Sequence, residues 1–220
     1  MTPSRAHSLV GFVFAVGVAL AILLTGPLLL FAPPFVSFMQ DRHDVPARLA
    51  AEHAAVHDAT TAMLGDLLFD GPFTVSLGPG GAPVLDADER SHMSDVGAVV
   101  RGLLLLDVLA LLVAVLGARR LSGERHRRGM LMLVAAGGLG ALAIGLGVFF
   151  ALAFDAAFAA FHAIFFEAGT WQFGPDSNLL RFFPQPFWFE LALVAGATIV
   201  AGAIIVALLA RRDLVGTAAG

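Results

Sequence analysis

The stretch VGAVVRGLLLLDVLALLVAVLG–ARRLSGERHRRG–MLMLVAAGGLGALAIGLGVFFALAF, residues 96–154, decides the fold. Two apolar runs, about 96–117 and 130–154, flank a short connection that holds Arg119, Arg120, Arg125, Arg127 and Arg128. At 1.5 Å per residue, each run is long enough to cross the ~30 Å of hydrocarbon in a bilayer. The stretch therefore reads as a helical hairpin in a membrane with a basic turn. Two more runs of the same kind, about 9–31 and 189–210, bring the spans to four. Arginine collects in cytoplasmic connections. Arg5 precedes the first span, and Arg211 and Arg212 follow the fourth. In a four-span frame these two groups and the basic turn fall on one side, so both termini and the connection 118–129 are expected in the cytoplasm. The first run is too long for the apolar segment of a signal peptide and has no clear small-x-small cleavage site, so it reads as an uncleaved span.

Composition agrees. The chain is 58% hydrophobic and 14% charged, against roughly a quarter charged in a soluble domain. All 13 basic residues are Arg, and there is no Cys, which removes disulfides, thiolate nucleophiles and Cys-based metal sites together. No G-x-S-x-G elbow, P-loop, dinucleotide fingerprint or HExxH is present. A covalent serine mechanism is unsupported, and the outward loops offer nothing to nucleic acid. The expected fold is an all-α polytopic membrane protein: one membrane domain over 1–220, four transmembrane helices, both ends inside, and outward loops at about 32–95 and 155–188.

The first outward loop is too long to lack structure in a compact protein. Over 46–68, Leu49, Ala50, His53, Val56, His57, Thr60 and Leu64 recur at helical spacing, which predicts a helix on or above the membrane surface. Residues 73–85, punctuated by Gly78-Pro79-Gly80-Gly81, read as a short β-hairpin or extended excursion. Asp86 or Asp88 is placed to cap the helix that enters the second span. The second loop carries Phe154, Phe158, Phe161, Phe165, Phe166, Trp171, Phe173, Phe182, Phe183, Phe187 and Trp188. Such density suits a segment dipping into the headgroup region.

Two histidines stand at helix mouths on the outward side. In Glu89-Arg90-Ser91-His92-Met93-Ser94-Asp95, both carboxylates lie three residues from His92 on a helix, where either can orient the imidazole and raise its basicity. An ordinary charged helix entry gives the same pattern. His162 sits near the outer end of the third span, with Asp155 seven residues earlier on the same face but about 10 Å away along the axis. A satisfied interface histidine among aromatics is the bland alternative. His53 and His57, at i and i+4, have the spacing of a metal pair, but no third ligand is signalled and a solvated helix face reads better, so no metal is assigned. Arg101 and Asp107 lie inside the second span, where a charge costs ~2.5–3.5 kcal/mol and faces a bundle interior or a wet cavity. Arg101 is within reach of a ligand below His92 or can equally snorkel outward; Asp107 has no obvious partner in the membrane, and Thr25 is a candidate by depth alone.

The block Glu89-x-x-His92-Met93-x-Asp95-Val96 resembles a hallmark of the lipoprotein intramolecular transacylase family of bacterial integral membrane proteins. A second block is similar too: Phe154-Asp155, Phe158, Phe161-His162, Phe165-Phe166, Trp171, Phe173, Leu180, Phe183-Pro184 and Phe187-Trp188. The resemblance implies a multi-pass protein of the bacterial cell membrane, expected as a monomer, with its active site on the extracytoplasmic face. Its substrate would be a lipoprotein bearing a diacylglyceryl group on an N-terminal cysteine, together with membrane lipid, and its reaction the transfer of the sn-2 acyl chain onto that cysteine's own amine. No cofactor and no enzyme nucleophile are implied. His92 and His162 would be the base and acid pair, and Glu89, Asp95 and Asp155 supporting groups. Arg101, Trp171, Phe165, Phe166 and Arg181 would contact substrate. Two competing readings remain: a membrane lipid hydrolase or metal-dependent lipid enzyme using His92, His162 and the outer carboxylates, for which stoichiometric zinc would count, and a non-catalytic interaction protein indifferent to loss of either histidine.

Overall fold

The computed structural model describes residues 3–215, so residues 1, 2 and 216–220 of the expected domain lie outside the description. The regular secondary structure of the described residues is all helix, with no strand among them. In chain order the helices are α1 (Pro3–Leu29), α2 (Pro33–Arg42), α3 (Val45–Arg48), α4 (His53–Phe69), α5 (Ala87–Arg120), α6 (Arg125–Leu152), α7 (Phe154–Phe165), α8 (Asn178–Phe182) and α9 (Gln185–Val215). Four of them, α1 from His7 onward, α5, α6 and α9, are long and apolar enough to cross a membrane. They match the four spans read from the sequence, and the protein is a multi-pass membrane protein.

The contacts divide into two compact units. One comprises residues up to 29, 103–148 and from 194 onward. Its core is Phe14, Val18, Ile22, Leu121, Ala135, Ala136 and Ala203. Small residues let these helices approach closely, as membrane packing favours. A Cβ on Gly17 would meet Val113 Cγ1 at 2.7 Å, and one on Gly129 would meet the Ala210 carbonyl oxygen at 2.9 Å. Leu105, Val108, Ile144 and Ile204 turn outward, as side chains against lipid do. Asp107 is buried and accepts a hydrogen bond from Thr25 Oγ1 at 2.9 Å, so the depth-matched partner is the actual one. The arginines of the basic turn knit helix ends together. Arg128 grips the buried Asp213 through Nε and Nη2, both at 2.6 Å, and donates to the Ala118 carbonyl at 3.2 Å. Arg127 donates to the His7 carbonyl at 2.7 Å and to Glu124 at 2.8 Å.

The other unit comprises residues 30–102 and 149–193. Its core joins Val36 and Met39 of α2, Val56, Met63 and Leu67 of α4, Phe73, Leu85, Met93 of α5, and Phe182, Phe183 and Phe187. Gln40 is fully buried yet satisfied: it donates to the Phe182 carbonyl and accepts from Thr60 Oγ1. The helix expected over 46–68 is shorter at its start. Pro46 sits in the short α3, Ala50 adopts φ 48°, and only from His53 does the chain stay helical to Phe69. Residues 73–85 form the extended excursion and not the hairpin. Val84 N donates to the Val75 carbonyl at 2.9 Å and Gly81 N to that of Gly78, without a ladder. Two glycines with positive φ, Gly78 and Gly80, make the reversal.

Candidate active site

The entry of α5 is built by a reciprocal cap. The Asp86 carboxylate accepts from Glu89 N, and the Glu89 carboxylate accepts from Asp86 N, each at 2.9 Å, the capping box expected when an acceptor precedes Glu by three residues. One turn on, this places His92 on the buried side of α5, only 6% exposed. Its ring meets Phe166 edge-on at 4.9 Å and Phe173 at 5.5 Å between centroids. Its Nδ1 is buried, and no described residue offers it a hydrogen-bond partner.

His162 lies beyond the outer end of the third span, on a separate helix. The chain leaves α6 at Ala153, whose φ −141° and ψ 49° break the helix, and resumes in α7. There His162 Nδ1 approaches the Phe158 carbonyl oxygen at 2.8 Å. A carbonyl can only accept, so Nδ1 carries the proton and Nε2 keeps its lone pair. Phe158 and Trp171 pack on the ring at 4.1 and 4.6 Å. Burial lowers the imidazole pKa below its usual 6.5, and the Phe158 carbonyl offsets part of that. The two imidazoles lie 6.2 Å apart between centroids with planes inclined by 22°. Two histidines 70 positions apart in the chain thus share one aromatic cage, with lone pairs available for moving protons. Neither lines either of two open cavities of this unit, which measure about 660 and 310 Å³.

The remaining candidates are placed as follows. Neither carboxylate expected beside His92 hydrogen-bonds it. Glu89, 2% exposed, gives Oε1 to Leu179 N at 2.9 Å and to Ser177 Oγ at 2.5 Å. It thereby pins the start of α8 to the start of α5. Asp95 is exposed. Asp155 accepts from the Gln185 side-chain amide and lines the larger cavity with Phe154 and Phe189. Arg101 turns to the end of α4, donating to the Leu67 carbonyl at 3.0 Å and to Asp70 at 2.7 Å. Arg181 bonds Asn178 at 3.3 Å and lies 3.9 Å from Asp176. Phe165 is 41% exposed beside Phe161, while Phe166 and Trp171 touch the histidines. Ser177 and the Leu179 amide are the positions that sequence reasoning missed. The only signal was Ser177 before Asn178-Leu179-Leu180, an N-cap whose Oγ accepts from Leu180 N.

Comparison with known proteins agrees with this frame. Residues 12–188 match the family model described as lipoprotein intramolecular transacylase Lit. No match is found among curated proteins. The fold is similar to the solved structure of the membrane integral lipoprotein intramolecular transacylase Lit from Bacillus cereus, with a TM-score of 0.80 at 18% identity, covering 99% of this chain and 100% of that one. Two variants of that protein, in which one histidine is replaced by arginine or by alanine, give TM-scores of 0.76 and 0.78 at 18% identity. They cover 97% and 99% of this chain and 94% and 97% of theirs.

Proposed function

This chain belongs to the lipoprotein intramolecular transacylase family, and on that premise we propose that it moves an acyl chain within one lipoprotein molecule. The substrate is a lipoprotein whose N-terminal cysteine carries a diacylglyceryl group and a free α-amine. The product is N-acylated and keeps a single acyl chain on its glyceryl group. The observation that carries this reading is the shared cage of His92 and His162, 6.2 Å apart between ring centroids.

The α-amine attacks the sn-2 ester carbonyl, forming the new C–N bond. A base takes the amine proton. The tetrahedral oxyanion then collapses, the ester C–O bond breaks, and the departing glyceryl oxygen takes a proton. Nucleophile and ester belong to one molecule, so the protein supplies positioning and proton transfer and needs no nucleophile of its own. The Phe158 hydrogen bond supports His162 Nε2 as the base, with His92 handling the proton for the leaving oxygen. Glu89 acts through the loop it anchors, and Asp95 and Asp155 support the two helix entries. Trp171, Phe165 and Phe166 bed the substrate's apolar parts, and Arg181 and Arg101 take its polar ones. Both termini and the basic turn face the cytoplasm, as the Arg119–Arg128 group and Arg211–Arg212 support, and the histidines face outward at the cell membrane.

The test is mass spectrometry of a lipoprotein N-terminal peptide from cells that lack other N-acylation machinery, with and without this protein. Expected is conversion of diacylglyceryl cysteine to N-acyl, S-monoacylglyceryl cysteine, abolished by His92→Ala and by His162→Ala. An unchanged peptide with the protein folded and inserted would overturn the proposal.

A further inference from the structure

Away from the two caged histidines, one oxygen gathers two others. Asp41, in the last turn of α2, places Oδ1 at 2.9 Å from His53 Nδ1 and 3.0 Å from His57 Nε2. The i, i+4 spacing puts both imidazoles on one side of α4, and their rings stand at 89° with centroids 6.2 Å apart. Ligand atoms of the three residues lie within 4.8 Å of one another. The sequence lacked only a third ligand for this pair, and the fold delivers it from twelve positions upstream.

We propose that Asp41, His53 and His57 form a binding site for a divalent transition-metal ion of the zinc type, clamping α2 to α4. Two imidazoles and a carboxylate are the donor set that borderline ions of this kind take, and three protein ligands leave a fourth position for water. Zinc–ligand bonds of about 2.0–2.2 Å at tetrahedral angles separate donors by about 3.3 Å. The two oxygen–nitrogen distances therefore need to open by only a few tenths of an ångström. The proton on each coordinating nitrogen passes through solvent to the other ring nitrogen, so neutral histidines bind without losing a proton overall. The site is reachable: the His53 side chain is 69% exposed, that of Asp41 39% and that of His57 32%.

The clamp has a purpose in this fold. The connection from α2 to α4 contains two non-glycine residues in the left-handed region, Asp44 at φ 54° and Ala50 at φ 48°, a conformation that side chains disfavour. An ion held by Asp41 on one side of that connection and by the two histidines on the other ties it shut. The ligands belong to the segment that packs under Met39, Val56 and Met63, so the clamp acts on the stability of this unit and takes no part in acyl transfer.

The experiment uses the full chain, free of affinity tags, purified in detergent and stripped with chelator. Zinc chloride is titrated by calorimetry, and the unfolding midpoint is read with and without the ion. Expected are one zinc per chain and a raised midpoint. His57→Gln and Asp41→Asn each weaken binding at least about tenfold and remove the rise in midpoint. His53→Gln, at the most exposed ligand, does the same with the least risk to folding. His92→Ala retains both zinc and the rise, which separates this site from the transacylase reading. Absence of stoichiometric zinc, zinc unaffected by these three substitutions, or zinc lost in His92→Ala would overturn the proposal.

Discussion

Replacing Glu89 tests whether the His92 cage is held by a distant loop or by a neighbouring charge. Glu89 accepts from three donors: Asp86 N, Leu179 N and Ser177 Oγ. In Glu89→Gln the carbonyl can serve only one side. If it keeps Leu179 N and Ser177 Oγ, its NH2 faces the Asp86 N–H, donor against donor. One charge-assisted bond is lost and the other two become neutral, a cost of roughly 2–4 kcal/mol at about 1.5–3 kcal/mol per charge-assisted bond. Glu89→Ala loses all three and strands the buried Leu179 N–H, a cost of roughly 4.5–9 kcal/mol on the same scale. The chain has two tryptophans. Trp171 lies on His162 at 4.6 Å, and Trp188 meets Phe187 at 5.4 Å, so intrinsic fluorescence reports on the very segment Glu89 anchors. The unfolding midpoint should fall and emission shift to the red in the order wild type, Gln, Ala. The exposed Asp95→Asn should stay within about 0.5 kcal/mol of wild type. Wild-type midpoint and emission in Glu89→Ala would refute the anchoring role. Glu89→Gln that keeps both yet loses transacylation would refute it too, by showing that the carboxylate acts on protons.

Three further outcomes are expected. Burial depresses the His162 pKa below 6.5, so its neutral, proton-accepting form persists at lower pH than in free imidazole. The acid limb of the transacylation pH profile should therefore fall below pH 6.5, and a limb above that value would contradict the role of base. The same sign governs folding: the unfolded chain takes up the proton first, so this histidine's contribution to stability is present above 6.5 and is lost as pH falls through the depressed value. Thr25→Val should cost about 0.6–1.7 kcal/mol by removing the hydrogen bond to Asp107, in the range of such bonds within membranes, while Thr25→Ser keeps it. Equal denaturant midpoints for the two variants would contradict the pairing. Asp213→Ala should cost about 3 kcal/mol by unpairing Arg128, the low end for a buried pair because Arg128 is 21% exposed. Arg128→Lys should fail to restore wild-type resistance to unfolding, because an ammonium cannot make the two-point contact.

The spans were legible because lipid imposes a one-dimensional rule: length and apolarity suffice, and α1, α5, α6 and α9 fell where the runs predicted. The pairing of Asp107 with Thr25 was legible for the same reason, since equal depth narrows the possible partners of a buried charge. Between spans the rule lapses. The third spanning helix ends at Leu152, within two residues of the end read from the sequence, but nothing local reveals that the chain turns at Ala153 and resumes at once as a separate helix. The excursion at 73–85 had turn residues in the right places, but too few paired residues to make a ladder.

The carboxylates around His92 show how a correct local rule can be outbid. Spacing of three residues put Glu89 within reach of the imidazole, and a helix does form there. Yet the same carboxylate also faced the unsatisfied amide of Leu179, 90 positions away. A buried N–H with no acceptor costs about 1–3 kcal/mol, whereas His92 can stay neutral without a carboxylate beside it. The loop amide therefore wins the buried charge, and the histidine is left with aromatic rings. Asp41 followed the opposite course. Its sequence neighbours gave no reason to connect it with His53 and His57, yet the fold brings one of its oxygens to both imidazoles. In both cases the decisive quantity is which donors would otherwise go unpaired, and that is a property of the folded chain. Each carboxylate's role is consequently testable by asking what its removal leaves unsatisfied: a backbone amide and a loosened cage for Glu89, two imidazoles and a lost metal for Asp41.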